Sequence, residues 1–316
     1  MNKARKKLVF IVNPAAKNGL SLKTWKRIEA RLYGIPHAVY FTEYGRHAAI
    51  LAKEAADRHR GPLLIVAVGG DGTIHEVANG IMHVSHVTLG YVPAGSGNDF
   101  ARGYLLPSHP DRCIELILTL LDKEGLPFDA GIYTGRGGQA GYFVNSLGAG
   151  FDAAISMKAN QAPVKKWLNY LYLGKCIYVF YLFAELFRYK PGKLELELDG
   201  EKLQFGRAWF VTVSNQPYYG GGMMIAPKAD PSDGLLNVLV ASGLSRMKLL
   251  MVFITVFWGG HTRFREVNVF TAKKVSIAFE DLVLVHADGE QAGTTPVDIQ
   301  VSPAGWHLAQ GTRECI

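Results

Sequence analysis

Residues 63–73 read LLIVAVGGDGT, an unbroken apolar run that ends in glycines placed around Asp71. A run of this length without polar alternation predicts a strand buried on both faces, as in a parallel sheet. Residues 87–99, VTLGYVPAGSGND, repeat the pattern, with a second loop that contains Gly95 and Gly97. Because glycine permits close backbone approach, both loops predict places where a ligand lies against the main chain.

The N-terminal part of the chain alternates strands and helices. Strands are predicted at residues 8–12, 37–42, 63–68 and 87–92. A helix with Ser21 as N-cap follows the first strand, and another around residues 48–59 follows the second. This alternation indicates a parallel sheet with flanking helices.

From about residue 128 the sequence pattern changes and predicts short strands separated by glycine-rich turns. Examples are residues 141–146, 193–198, 208–214, 235–241, 274–279 and 297–301. We therefore predict an α/β N-terminal domain at residues 1–127 and a β-rich, antiparallel, sandwich-like second domain at residues 128–303. The boundary is expected at Gly125-Leu126-Pro127.

Length and composition fit this division, since 316 residues suit two domains of about 130 to 180 residues each. The balance of 34 basic and 27 acidic residues gives a net charge of +7, which suits phosphate-bearing ligands and an anionic membrane equally well. The three cysteines lack metal-ligand spacing, which argues against a disulfide framework or a zinc site. No export signal is recognised, because the apolar run after the basic N-terminus stops at Asn13-Pro14. We expect a cytoplasmic protein.

Two apolar stretches, residues 167–188 and 249–258, are too interrupted or too short for the roughly 20 residues that cross a bilayer. The first is aromatic and has basic flanks at Lys165, Lys166, Arg188 and Lys190. It fits either a helix lying on a membrane surface or a buried helix pair.

The loop around Asp71 joins a buried strand to a helix, so backbone N–H groups and the positive helix end point into it. Asp71 would repel a phosphate directly, so it is expected to hold a cation or orient a reacting group. The alternative is a capping box of Thr73 and Glu76 that needs no ligand. The glycines exceed what a cap requires.

The second glycine loop follows the next strand, and ligands of open α/β sheets lie outside the carboxyl ends of strands. The two loops are therefore expected to face one pocket. The alternative for the second loop is a turn capped by Asp99. After the first strand, residues 13–19 can bring Lys17 to a phosphate.

The second domain contains two further acidic turns. Asp230 and Asp233 supply hard oxygen ligands suited to Mg²⁺ or Ca²⁺, or they form a type I turn. Asp288 and Glu290 follow an apolar strand and either supply a general base or form a solvated turn. The chain has no Gly-x-x-x-x-Gly-Lys-Ser/Thr loop, no Gly-x-Ser-x-Gly elbow and no His-Glu-x-x-His, which disfavours P-loop nucleotide binding and serine hydrolase chemistry.

The paired loops at residues 69–73 and 93–99 resemble those of the diacylglycerol kinase catalytic family, especially its bacterial soluble lipid kinases. The resemblance extends from Asn13-Pro14 to Glu290. It implies an ATP- and Mg²⁺-dependent lipid kinase whose triphosphate lies between two domains. It also implies that residues 304–316 return to the first domain.

The resemblance further implies roles for individual residues. Nucleotide contacts would fall on Asn13, Pro14, Ala15, Ala16, Lys17, Thr42, Gly70, Asp71, Gly72, Thr73, Ile74, His75, Glu76 and Ser96. A structural Mg²⁺ would take the Asp233 carboxylate with the carbonyls of Asp230 and Leu235. Glu290 would be the general base with Asp288 beside it, and Asp71, Asp99 and Asp129 would form an acidic network around the catalytic Mg²⁺.

The chain departs from the family pattern at three places. Ser96 stands where the family has a threonine, and His75 stands where it has an asparagine. Ala15-Ala16-Lys17 stands where Ser-Gly is common. Competing interpretations are an NAD kinase, a phosphofructokinase and a non-catalytic nucleotide or lipid sensor. A second loop reading Gly-Ser-Gly-Asn-Asp-Phe-Ala-Arg favours the lipid kinase. Expected partners are ATP and a lipid at the inner membrane face, contacted transiently, with no nucleic acid, and a homodimer as one assembly.

Overall fold

The computed structural model of the chain describes residues 5–161 and 174–311, with side chains described for 5–158 and 181–311. It divides into two compact units, the first of Met1–Asp129 with Pro303–Ile316 and the second of Ala130–Ser302. The division after Asp129 lies two residues beyond the boundary expected at Gly125-Leu126-Pro127, within a strand over Leu126–Gly135. The predicted membrane contacts Lys165 and Lys166 lie outside the described residues.

A parallel sheet forms the centre of the first unit. Its strands are β1 (Lys7–Val12), β2 (His37–Phe41), β3 (Leu63–Gly69) and β4 (Val87–Pro93). The order is β2, β1, β3, β4, and Leu308 of the last strand pairs in parallel with Leu89 of β4. Every residue of β3 and β4 is buried, as the unbroken apolar runs predict for strands covered on both faces.

Helices connect these strands. They are α1 (Leu20–Glu29), α2 (His47–Arg58), α3 (Asp71–Ile81), α4 (Asp99–Gly103) and α5 (Pro110–Thr119), with 3-10 turns at Ala16–Gly19 and Ala30–Leu32. Trp25 of α1 packs on Phe10 of β1 with ring centroids 4.9 Å apart. The prediction of Ser21 as N-cap is wrong, because α1 begins at Leu20 after Gly19, whose φ is 86°. Ser21 lies inside the helix and is buried.

Antiparallel strands dominate the second unit. The strands from residue 126 onward are β5 (Leu126–Gly135), β6 (Ala140–Phe143), β7 (Ser146–Gly150), β8 (Gly192–Leu198), β9 (Glu201–Ser214), β10 (Tyr218–Tyr219), β11 (Met223–Met224), β12 (Leu236–Ser242), β13 (Val267–Ala272), β14 (Lys274–Phe279), β15 (Leu284–Ala287), β16 (Glu290–Thr294) and β17 (Val297–Leu308). The start of β5 and the end of β17 belong to the first unit. The path β16, β15, β7, β9, β8, β14, β17 is antiparallel at every step. An α/β unit and a β-rich antiparallel unit confirm the predicted fold class.

Three helices of the second unit are described. They are α6 (Phe151–Gln161), α7 (Gly174–Arg188) and α8 (Arg246–Thr255), with 3-10 turns at Val256–Trp258 and Gly260–Arg263. Leu186 of α7 and Leu249 of α8 share a core with Trp209, and Arg246 Nε donates to the Leu186 carbonyl at 2.9 Å. Within the described residues, no helix combines the length and the apolar character needed to cross a bilayer.

Candidate functional site

Three loops of the first unit meet at the carboxyl ends of β1, β3 and β4. Asn13 Nδ2, after β1, donates to Thr73 Oγ1, after β3, at 3.0 Å. The Ala94 N–H, after β4, donates to the Gly69 carbonyl at 2.7 Å. Parallel strands end at one edge of a sheet, and these bonds bring the polar loops together there.

Gly70 and Gly95 make the closest approach between the two glycine loops. A Cβ added at Gly95 would overlap the Cα of Gly70, and a Cβ added at Gly70 would lie 3.3 Å from the Cα of Gly95. A Cβ at Gly69 would overlap the side chain of Thr73. The glycines are therefore required for contact between two backbones, which a simple turn does not need.

Asp71 connects the two loops by its side chain. It is the first residue of α3, and its Oδ1 accepts the Phe100 N–H at 3.0 Å. The carboxylate thus lies at the positive end of α3 and also holds the start of α4. Both predicted loops belong to one constellation.

Tyr91 supports this constellation from inside the sheet. Its O–H donates to the Gly69 carbonyl at 3.1 Å. Burial raises the pKa of Tyr91 well above its ordinary value, and the negative charge of Asp71 raises it further. The phenol therefore stays protonated and keeps donating at neutral pH. Sequence reasoning missed this residue, because a tyrosine within an apolar strand looks like any core aromatic.

Asn98 and Asp99 form the end of the second loop. Asn98 is the N-cap of α4 with a φ of 55°, and its side-chain oxygen Oδ1 is buried without a hydrogen-bond partner in the described structure. A buried orphan acceptor is costly unless a ligand completes it. Asp99 is buried and pairs with Arg102 at 2.6 Å, so it does not act as a plain turn cap. Sequence reasoning did not select Asn98, although it lies within the quoted motif.

The capping box offered as the alternative for the first loop does not form. The N-cap of α3 is Gly70, and no side chain caps it. Glu76 instead turns to α2, where its two carboxylate oxygens accept the N–H groups of Arg46 at 2.9 Å and Ala48 at 3.0 Å. Capping therefore does not explain the loop, and the role of Glu76 seen here is to cap the neighbouring helix.

The remaining predicted nucleotide contacts lie in these loops or beside them. Asn13 Oδ1 accepts the Ala15 N–H at 3.1 Å, which folds the loop over Pro14. Lys17 is half-buried with a φ of 49°. The Thr42 N–H donates to the Val12 carbonyl at 2.9 Å, next to this loop. Of the others, Ala16, Gly72, Ile74 and His75 lie within the same loop-and-helix segments, and Ser96 is exposed.

In the second unit, Asp288 and Gly289 form the tight turn between β15 and β16, with φ values of 50° and 87°. Positive φ at both central positions is the geometry of a type I′ hairpin. The Asp288 carboxylate accepts the N–H groups of Val144, Asn145 and Ser146, each at 2.9 Å. These bonds explain why the strand predicted at residues 141–146 divides into β6 and β7.

Glu290, which follows this turn, is exposed. The two acids of the motif therefore differ in kind. Asp288 is anchored to the backbone by both oxygens, whereas the carboxylate of Glu290 faces solvent. Of the pair, Glu290 is the one whose surroundings suit a proton acceptor.

The turn at residues 230–235 uses its two carboxylates differently. Asp230 Oδ1 accepts from the N–H and hydroxyl of Ser232 at 3.0 and 2.6 Å, and Asp233 Oδ1 accepts the Leu235 N–H at 2.9 Å. Asp233 is exposed. A carboxylate and backbone carbonyls are hard oxygen donors of the kind Mg²⁺ takes, so the residues present fit such an ion.

Each acid of the predicted network has a hydrogen-bond or ion-pair partner in the structure. Asp71 bonds Phe100, Asp99 bonds Arg102, and Asp129 Oδ1 accepts the Ala304 N–H at 2.9 Å. No three histidine, cysteine or acidic side chains among the described residues group as a metal site by themselves. A joint role for Asp71, Asp99 and Asp129 stays a prediction.

Comparison with known proteins covers both units. The diacylglycerol kinase catalytic domain matches residues 7–129, and the YegS C-terminal NAD kinase beta sandwich-like domain matches residues 145–310. The chain is 33% identical over 304 residues to YtlR of Bacillus subtilis (strain 168), assigned as a lipid kinase, covering 93% of this chain and 96% of that protein. It is 31% identical over 303 residues to a diacylglycerol kinase of Mycobacterium tuberculosis (strain ATCC 25618 / H37Rv), covering 94% and 93%.

A solved structure is similar to this chain in fold. The crystal structure of a diacylglycerol kinase from Bacillus anthracis str. Sterne covers 97% of this chain and 97% of its own, with a TM-score of 0.70 and 21% identity. At that identity the likeness supports the fold alone. The sandwich-like character predicted for the second domain is confirmed by the family match.

Proposed function

This chain belongs to the diacylglycerol kinase catalytic family, and on that premise we propose that it uses ATP and Mg²⁺ to phosphorylate a hydroxyl group of a diacylglycerol-type lipid. The observation that carries the proposal is the backbone contact of Gly70 with Gly95, which holds two glycine loops and the N-terminus of α3 at one edge of a parallel sheet. Such an edge offers N–H donors and a positive helix end to phosphate groups.

The nucleotide side of the reaction belongs to the first unit. Gly70 and Gly72 leave backbone N–H groups open to a triphosphate. Asn98 Oδ1, an acceptor without a partner within the described residues, suits an N–H or O–H donor of the nucleotide or a Mg²⁺ ion, because phosphate oxygens are themselves acceptors. Thr73 is held in place by Asn13. Phosphoryl transfer depends mainly on positioning and charge stabilisation, and these residues supply the positioning.

Magnesium fits two donor sets of this chain. Asp71 and Asp99 offer carboxylates beside the glycine loops, and Asp233 with the carbonyls of Asp230 and Leu235 offers an oxygen set in the second unit. The ion would neutralise negative charge that develops on the transferred group. The chain's own part is to hold these oxygens in fixed turns.

Glu290 is assigned as the general base that accepts the proton of the attacking hydroxyl. Its exposed carboxylate can accept a proton from a bound substrate, and Asp288 fixes the turn that carries it. The Asp288 carboxylate is instead occupied by three backbone N–H groups.

A lipid acceptor is supported by an apolar face on α8 and the turn after it. Its side chains are between 51% and 67% exposed, namely Met247, Met251, Ile254, Phe257 and Trp258. An exposed apolar stripe of this kind marks an interaction surface. Arg246, Arg263 and Arg265 are exposed beside the same segment. The acidic Glu266 nearby is already bonded to Lys248 at 2.7 Å.

We infer that this face docks on an anionic membrane. Arg246 and Lys248 in the first turn of α8 bond within the chain, Arg246 to the Leu186 carbonyl and Lys248 to Glu266, so they are not counted toward the surface charge. The exposed Arg263 suits a negatively charged surface, while Met251 and Trp258 suit its apolar boundary.

The acceptor is tested with γ-labelled ATP and a panel of diacylglycerols, other lipid alcohols, NAD and fructose 6-phosphate. Label transferred to the diacylglycerols alone is the expected result. Transfer to NAD or the sugar phosphate would replace the lipid acceptor by that compound. Nucleotide binding without transfer to any acceptor would instead favour a sensor.

Docking is tested by sedimentation with vesicles of phosphatidylglycerol and phosphatidylcholine. Met251→Glu is expected to reduce vesicle binding and phosphorylation of vesicle-borne lipid, while sparing a short-chain soluble diacylglycerol. Leu282→Glu is the matched control, since Leu282 is an exposed apolar residue of the same unit outside this face. Equal loss of binding in both variants would remove the docking assignment.

A further inference from the structure

A buried histidine and a buried aspartate form a pair beside the Asp288-Gly289 turn. His286 Nε2, on β15, lies 3.3 Å from Asp152 Oδ2, in the first turn of α6, and the side chains are 4% and 7% exposed. Neither residue has a role in the nucleotide or metal assignments above. Two ionisable side chains buried together call for an explanation.

The backbone of the turn defines the tautomer of His286. The Gly289 N–H donates to His286 Nδ1 at 3.3 Å, so Nδ1 is an acceptor and carries no proton. The ring proton then resides on Nε2, where it donates to the Asp152 carboxylate. The pair therefore forms an ordered chain of two bonds, from Asp152 through the ring to the backbone of Gly289.

Space for this pair is provided by a glycine on the neighbouring strand. Gly148 of β7 lies opposite His286 in the strand register. A Cβ at this position would overlap both the Asp152 carboxylate and the His286 ring. The φ of Gly148 is not among the positive ones, so the room it leaves, rather than its backbone conformation, accounts for the glycine.

We propose that Asp152 and His286 are positioning residues that fix the direction of Glu290. The proposal rests on the proposed function, in which Glu290 accepts the proton of the lipid hydroxyl. Asp288 holds the turn from one side through three backbone N–H groups, and His286 holds Gly289, the residue before Glu290, from the other. Two anchors leave the turn little freedom, which keeps the proton acceptor in one orientation.

A direct chemical role for His286 does not fit the same geometry. An aspartate–histidine pair activates a nucleophile in hydrolases through the ring nitrogen that the aspartate does not hold. Here that nitrogen, Nδ1, accepts from the backbone of Gly289, and the ring is buried. The histidine thus acts on the turn and not on a substrate.

Two substitutions of His286 separate its two bonds. His286→Asn places an oxygen near the position of Nδ1 and keeps the bond to Gly289, whereas His286→Gln places an N–H near Nε2 and keeps the bond to Asp152. We expect kcat for lipid phosphorylation to fall about 10-fold in His286→Gln and no more than about 3-fold in His286→Asn, with the KM for ATP unchanged in both. Equal losses in the two variants, or a loss expressed mainly in KM, would overturn the proposal.

A second readout does not depend on activity. Backbone amide exchange of the β15–β16 turn is expected to be faster in His286→Gln and in Gly148→Ala than in the wild type, and close to wild type in His286→Asn. Gly206→Ala is the control glycine, because a Cβ there meets nothing within 4 Å. Unchanged exchange in His286→Gln and Gly148→Ala would overturn the positioning role even if the wild type phosphorylated no lipid. Absence of lipid phosphorylation together with the predicted exchange would overturn the proposed function alone.

Discussion

Two aspartates, each next to a glycine at the end of a strand, are used in opposite ways. Asp71 lies at the start of a helix, half-buried, where its Oδ1 holds Phe100 and two glycine loops touch beside it. Asp288 lies in a hairpin turn, where both oxygens hold backbone N–H groups of a distant segment. In the proposed function the first aspartate serves the nucleotide site, and the second holds the turn that carries its neighbour, Glu290.

The difference is one of surroundings and not of residue type. A carboxylate that accepts three backbone N–H groups at 2.9 Å is fixed in place. The exposed Glu290 beside it is open to a substrate. Substitutions at the two aspartates should therefore separate loss of activity from loss of stability.

The largest effect is expected from Asp71→Asn. Removing the charge at the glycine loops should lower turnover by about 100-fold or more, because charge stabilisation of the transferred group is lost. The melting temperature should stay near that of the wild type, since asparagine retains an oxygen for the Phe100 N–H. Turnover above one tenth of wild type would contradict the assignment.

Glu290→Gln is expected to lower kcat by about 100-fold while leaving ATP affinity nearly unchanged, because only a proton acceptor is removed. Steady-state kinetics with a soluble diacylglycerol measure both quantities. A greater loss of kcat in Asp288→Asn, at equal stability, would assign the general base to Asp288. The distinction between a structural Asp288 and a catalytic Glu290 would then be wrong.

Asp288→Ala is expected to act mainly on stability. Loss of the carboxylate leaves the N–H groups of Val144, Asn145 and Ser146 without their acceptor, which costs about 1–3 kcal/mol in the free energy of unfolding. Urea denaturation measures the change. Asp71→Ala is the comparison, and a larger loss of stability there would reverse the roles of the two aspartates.

Asp233 is a third aspartate beside a glycine, and for this one we predict a role in binding Mg²⁺. Asp233→Ala should remove the rise in melting temperature that Mg²⁺ gives the wild type, because an ion bound only by the folded state stabilises it by mass action. A thermal melt with and without Mg²⁺ checks this, and Asp230→Asn, which keeps the predicted carbonyl ligand, is the control. Equal metal-induced shifts in wild type and Asp233→Ala would leave the turn as an ordinary type I turn.

The sequence predicted the structure correctly where the structure depends on interactions between residues close together in the chain. The unbroken apolar runs of β3 and β4 and the glycines after them predicted the parallel sheet and the paired loops, because strand burial and close backbone approach depend on short segments. The acidic motifs at residues 230–235 and 288–290 were also visible. Their ligands and partners were not.

Interactions between distant segments explain what the sequence could not predict. Asp288 is separated by 142 residues from Ser146, one of the three residues whose N–H groups its carboxylate accepts. Glu76 matched a local capping box but bonds the N–H groups of α2 instead. Tertiary contacts thus override a local motif, and the pairing of Asp152 with His286 across Gly148 belongs to the same class.

The most direct test measures ATP affinity and lipid phosphorylation on the same three proteins, the wild type, Gly95→Ala and Glu290→Gln. A Cβ at Gly95 would overlap the Cα of Gly70, so Gly95→Ala should weaken ATP binding by about 10-fold or more, with lipid phosphorylation falling in parallel. Glu290→Gln should bind ATP as the wild type does and still fail to transfer phosphate. ATP binding unchanged in Gly95→Ala, or lost in Glu290→Gln, would contradict the division of nucleotide binding and proton transfer between the glycine loops and the Asp288-Gly289-Glu290 turn.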